Sequence, residues 1–251
     1  HKAVREFSYD PGGGHVHPDA NHFVLFGKGE WLVRDDGYRS KWTGQHNTLL
    51  IDGRGQLGEG HQWFEGAVPL AAKSRPRILK AASSATLDHI IGDATEAYPV
   101  AIGLEQFHRH VLFMKPDVLV VADDIRLKEP TKLEWRIPPE QQSGRRDGTA
   151  WLFEGKGAVL RVVPLTADSD ENDAAPLPME GRHGEENLTM FTLRLTRIAD
   201  QWRNAVAFCW AKRGQPVKHV ESETQGDRTR FRVGQRYVTL NWSNATATSK
   251  P

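Results

Sequence analysis

The sequence predicts an all-β protein, a large antiparallel β-sandwich, and three observations carry that expectation. Short segments rich in Val, Ile, Leu, Phe, Trp and Thr recur along the 251 residues. Gly, Pro, Asp and Asn punctuate them at short intervals, and nothing sustains the apolar period of a succession of amphipathic helices. Strand-like runs joined by tight turns favour antiparallel neighbours, which stack face to face around a core.

Taken in order, Asn21 to Phe26 and Glu30 to Asp35 read as a strand pair, with Gly27-Lys28-Gly29 supplying the turn. Antiparallel pairing sets the start of one strand opposite the end of the other, so Asp35 is expected level with His22. A third strand, Asn47 to Asp52, has His46 at its mouth, and His17, Asp35 and His46 are therefore expected to converge at one end of a three-strand meander. Further strands are expected at 86–93, 105–115, 117–124, 132–137, 150–154, 158–163, 188–198, 205–211, 229–233 and 237–242. Val68 to Ala82 is the one candidate helix. The chain reads as a single domain over 1–251, with an exposed loop at 168–184, which is acidic and rich in Pro and Gly, and a frayed tail from Ser243 to Pro251.

Hydrophobic residues at 38% and charged residues at 26% describe an ordinary globular chain with enough apolar material for a sizeable core. A net charge of +1 gives no global argument for nucleic acid or an anionic membrane as partner. The chain opens on His1 rather than methionine and is expected to be a processed product or a piece of a longer protein. The single cysteine, Cys209, has no intrachain partner and lies in an apolar run, where a buried, inert thiol is expected.

The chemistry concentrates between Gly12 and Gln56. Three glycines precede His15, which begins an H-x-H-x-D cluster with His17 and Asp19. Two imidazoles and a carboxylate at a loop-rich strand end are the ligand types of a zinc site with one position open, although Asp and His are also ordinary turn residues. Asp19 suits either orienting a ring nitrogen or capping a turn. His108 and His110 share a strand face without a matching carboxylate and read as structural; His61, His89, His183 and His219 have no supporting constellation. Trp31, Trp135, Trp151, Trp210 and Trp242 fall in strand patterns and are expected in the core, whereas Trp42 and Trp63 are the better candidates for sugar contact. Arg39, Lys41 and Arg54 flank the region as solvated charges or as attractants for an anionic substrate.

These residues carry a resemblance. HVHPDANHFVLFGKGEWLVRDDGY from His15, followed by HNTLLIDGRGQ from His46, resembles the β-sheet domain of heparinase II/III-like polysaccharide lyases, a group that includes oligoalginate lyases. HRHVLFMKPDVLVVADDI from His108 and LEWRI from Leu133 resemble its later strands. The resemblance implies cleavage of a uronic-acid polysaccharide or oligosaccharide by β-elimination, in a secreted or periplasmic bacterial protein. It implies His15 as the catalytic histidine reaching into the cleft. It further implies a structural zinc on His17, Asp35 and His46, with Asp36 as the alternative carboxylate.

In that family a tyrosine and another histidine come from an N-terminal α/α toroid, the partner domain. These residues do not read as a toroid, so this chain alone is expected to be inactive; of Tyr9, Tyr38, Tyr98 and Tyr237, Tyr38 is near the metal stretch and suits packing or anchoring a loop. Two other readings stay open: a non-catalytic carbohydrate-binding or interaction module that keeps the metal fold, and a cupin-like metal enzyme using His15, His17 and His46.

Overall fold

A computed structural model of the protein describes residues 17–35, 41–60, 74–141, 143–166, 169–178 and 189–250. Among them there is no α-helix, and every strand pairing is antiparallel. A hairpin of β1 (Leu25–Gly27) and β2 (Glu30–Val33) precedes β3 (Leu49–Ile51). Next come β4 (Arg77–Ser83), β5 (Leu87–Asp93), β6 (Leu104–Met114) and β7 (Val118–Ile137). β8 (Arg145–Asp147), β9 (Ala150–Glu154), β10 (Ala158–Pro164), β11 (Glu171–Pro178) and β12 (Thr189–Lys212) follow. A C-terminal sheet contains β13 (Glu221–Gln225), β14 (Arg228–Val233), β15 (Arg236–Asn241) and β16 (Thr246–Lys250).

The large sheet has ten strands, in the order β4-β5-β6-β7-β12-β10-β9-β8, with β11 also on β12 and β3 also on β7. Its spine is the pair β7 and β12, of 20 and 24 residues. Both faces of this spine are covered, so apolar residues run continuously and alternate in destination. Leu119 and Val121 of β7 enter one core with Val206, Phe208 and Trp210 of β12. Val118, Val120 and Ala122 enter a second core with Ala205, Ala207 and Cys209. The C-terminal sheet closes that second core with Phe231, Val233, Val238, Leu240 and Trp242. Burial pushes the Cys209 thiol up to about 12, as an inert sulfur requires.

Several expectations are corrected. The segments 117–124 and 132–137 are one strand, as are 188–198 and 205–211, because exposed polar residues interrupt the apolar pattern without interrupting the pairing. Strand β3 does not extend a meander: it pairs with β7, and its three residues are all buried. Residues 77–83, within or just beyond the candidate helix, form edge strand β4, whose near-complete exposure leaves no apolar stripe to seat a helix. The expected loop at 168–184 contains β11; its prolines, Pro176 and Pro178, are tolerated because β11 pairs on one side only. The tail is also paired, since Thr246–Lys250 forms β16 against β15.

Candidate functional site

The hairpin turns at Lys28 and Gly29, with φ of 57° and 90°. Two successive left-handed residues match the twist of paired strands, and Gly supplies the second at no steric cost. The chain leaving β2 then returns Asp35 to the entry segment, where its Oδ2 lies 3.6 Å from His22 Nε2. His46 ends a short 3-10 turn over Thr43–Gln45, and its Nδ1 lies 3.0 Å from the same Asp35 oxygen.

His46 is fully buried, with the His22 ring 5.2 Å and the His17 ring 5.5 Å from its own, both edge-on. His22, Asp35 and His46 each offer a donor atom within 4.8 Å of the others. His46 Nε2 is buried without a hydrogen-bond partner among the described residues. A buried nitrogen in that condition is costly, and a cation is one partner that would relieve it.

Burial, with His46 and Arg109 nearby, lowers the His22 pKa to about 4, so its imidazole is neutral at pH 7. The Asn47 amide N–H donates to His22 Nδ1 at 3.4 Å, which leaves the ring proton on Nε2, facing Asp35. At 3.6 Å this is an electrostatic approach to the carboxylate rather than a hydrogen bond. The Asp19 carboxyl is pushed up by burial, against the pull of His46 and with the push of Asp35.

What holds the histidine-bearing segments is a buried arginine. Arg109, on β6, makes a bidentate pair with Asp123 of β7, both contacts 2.7 Å. Its Nη1 donates to the carbonyls of Asn21 and Asn47, each at 2.6 Å, next to His22 and His46. The guanidinium lies over the Trp135 ring at 5.0 Å. Asn47 Oδ1 accepts from Phe23 N at 2.8 Å, and Gln56 brackets Ala20 through both backbone groups, at 2.8 and 2.9 Å. Sequence reading missed Arg109, Asp123, Asn47 and Gln56 as site supports. The available signal was a charged pair inside two otherwise apolar strands.

Of the expected site residues, Asp35, His46 and His17 come together, and His22 joins them. His15, Asp36, Tyr38, Arg39, His61, Trp63 and His183 lie outside the described residues. Lys41 is buried rather than solvated. Trp42 is 48% exposed. Trp31, expected in the core, is instead at the surface, edge-on to Phe26 and beneath Arg34. It occupies the outer face of a two-stranded ribbon whose inner face holds Leu32. Trp135, Trp151, Trp210 and Trp242 are buried as expected. His89 has a constellation after all: its Nε2 meets His110 Nδ1 at 3.1 Å in a buried stack.

Residues 6–177 match the family described as heparinase II/III-like, C-terminal. The chain belongs to that family. The family resembled by its histidine motifs is thus the family it is in. Among solved structures, the chain is similar to a heparan sulfate lyase HepC mutant from Pedobacter heparinus, with TM-score 0.68 and 16% identity over 94% of this chain and 37% of that one. It is similar to a heparinase III described as the BT4657 gene product, with TM-score 0.69 and 10% identity over 93% and 36% of the two chains. A further heparinase III structure gives TM-score 0.61 and 13% identity over 89% and 35%. At these identities the likeness is one of fold, and the chain spans little more than a third of each heparinase chain.

Proposed function

We propose that this heparinase II/III-like domain is the β-sheet part of a polysaccharide lyase that cleaves a uronic-acid polymer by β-elimination. The observation that carries the metal part is the convergence of His22 and Asp35 with the buried His46, whose ring is also met edge-on by His17. Neutral imidazoles and a carboxylate are zinc donors, so the residues present fit that ion. His17, Asp35 and His46 would hold it, with His22 beside Asp35. A zinc bound here would cross-link the loops that carry these residues.

Elimination removes the C5 proton, which lies alpha to the carboxyl group, and expels the O4 oxygen. His15 stands two residues before His17, so one short segment would carry both the cleft histidine and a zinc ligand. His15 would then serve the cleft, neutralising the substrate carboxylate or moving a proton. The remaining acid–base groups would come from an N-terminal toroid of a longer parent protein.

The test has two arms. Elemental analysis of the purified chain after zinc exposure and dialysis should give near-stoichiometric zinc, lost in His46→Ala and His17→Ala; a wild-type chain that holds none rejects the metal site. In the longer parent protein, His15→Ala should abolish the ultraviolet absorbance of the unsaturated sugar ends that elimination leaves. Retention of that absorbance rejects His15.

A further inference from the structure

The C-terminal sheet turns its apolar residues into the second core, so alternate residues must face outward. On β14 these are Arg228, Arg230 and Arg232, all exposed. At two residues per step they form a row of positive charge about 13 Å long. Register sets Asn241, Thr239 and Tyr237 of β15 opposite them, and Lys250 of β16 beyond Tyr237. The Arg230 guanidinium lies 4.8 Å over the Tyr237 ring. Arg232 is paired with Glu221, whereas Arg228 and Arg230 have no ion-pair partner among the described residues.

Arg228, Arg230, Tyr237 and Lys250 line an open groove of about 480 Å³ on the sheet face, together with Glu223, which register sets opposite Arg230; Arg232 lies outside it. It lies on the opposite face of the large sheet from the histidine cluster, because Arg109 points to the cluster's side and the C-terminal sheet covers the other.

We infer that this groove is a second saccharide site, which takes a uronic-acid oligosaccharide along the arginine row. Arg228 and Arg230, with Lys250 nearby, outweigh the one carboxylate of Glu223 and are complementary to a chain of carboxylates, each guanidinium presenting a planar fork of donors. Threonine hydroxyls and an asparagine amide beside them match sugar hydroxyls, and a single tyrosine offers one ring face rather than a series of base-stacking platforms. The choice of a uronic-acid chain rests on the proposed lyase reading; the groove itself does not. Binding here would hold a polymer to the domain without occupying the histidine cluster.

Titration calorimetry of the purified chain with an alginate hexasaccharide tests this, using cellohexaose and single-stranded oligothymidine as comparison probes. The hexauronate should bind with an affinity that falls as salt rises. Arg228→Ser/Arg230→Ser should weaken it by about tenfold or more, and Arg228→Lys/Arg230→Lys should recover part of the loss. Both changes lie at exposed positions, and an unchanged melting temperature shows that the fold is kept. No binding of the hexauronate, equal binding by the serine variant, or equal binding of oligothymidine overturns the inference. His46→Ala, which tests the metal reading, should leave this binding unchanged; its loss in that variant would also overturn the site as placed here.

Discussion

The Arg109 guanidinium donates to the backbone carbonyl of Asn47 at 2.6 Å, and so ties the loop that carries His46 to a strand within the large sheet. The same nitrogen reaches Asn21, next to His22, and the rest of the guanidinium is held by Asp123. One buried cation therefore registers two separate segments of the candidate metal centre against the sheet.

Removing that cation leaves the Asp123 carboxylate buried without compensation. Arg109→Met is expected to destabilise the chain by ~3–5 kcal/mol in urea unfolding. Arg109→Met/Asp123→Leu should lose less than Arg109→Met alone, since no charge is stranded. A single variant within ~0.5 kcal/mol of wild type, the scatter of an ordinary surface change, would show that the pair does not clamp the sheet to the loops.

The proposed zinc centre predicts an order among its histidines. His46→Ala and Asp35→Ala should abolish retention of zinc on dialysis. His22→Ala, which removes the ring beside Asp35, should weaken affinity by about 10–100-fold without abolishing it, as measured by competition with a chromogenic chelator. Equal, complete loss in His22→Ala would mean that His22 ligates the ion directly.

Acid should attack the buried His89–His110 stack. Burial lowers the two pKa values to about 4 and about 3, from the ordinary 6.5. As pH falls below 6.5, the unfolded chain takes up protons that the folded chain refuses, so stability falls with pH down to about 4. Each such histidine contributes a slope of ~1.4 kcal/mol per pH unit within that window. Lys80 adds repulsion to both, and the Trp242 ring packs edge-on to His110. His22 and His108 also have lowered values, so the diagnostic quantity is a difference. Between pH 7 and pH 4.5, His89→Gln should lose less stability than wild type; parallel curves would reject the stack as a source of acid sensitivity.

Close packing predicts one glycine effect. A Cβ on Gly92 would sit 2.1 Å from Asn21 Oδ1, and Asn21 itself holds a φ of 65° with its amide donating to Gly92 and Phe107 carbonyls. Gly92→Ala should cost ~1–3 kcal/mol and lower zinc retention, because Asn21 adjoins His22. A variant that matches wild type in both measurements would show that Asn21 moves aside freely.

The parts of this protein legible in sequence were those that local rules govern. The hairpin at Lys28-Gly29 followed from turn chemistry, the all-β class from strand patterns, and the burial of Cys209 from its apolar neighbours. The histidine blocks carried enough pattern to point to the family. Arg109 and Asp123 were not legible as a clamp, since their roles depend on carbonyls 88 and 62 residues away from the arginine. His89 and His110 looked unrelated because only the pairing of β5 with β6 sets their rings together.

By itself, the sequence determined the all-β class, most of the apolar strands, where the first hairpin turns, and which donor chemistry gathers between His15 and His46. Periodicity, φ preferences and side-chain type act over a few residues, and these can be read along the chain. Tertiary structure alone decided that β3 joins β7 rather than the hairpin, that β11 and β16 find sheet edges despite polar or proline-rich sequences, and that His22 stands beside Asp35. Those outcomes turn on which edge has unsatisfied backbone groups and which face needs covering, and both depend on strands far away in sequence.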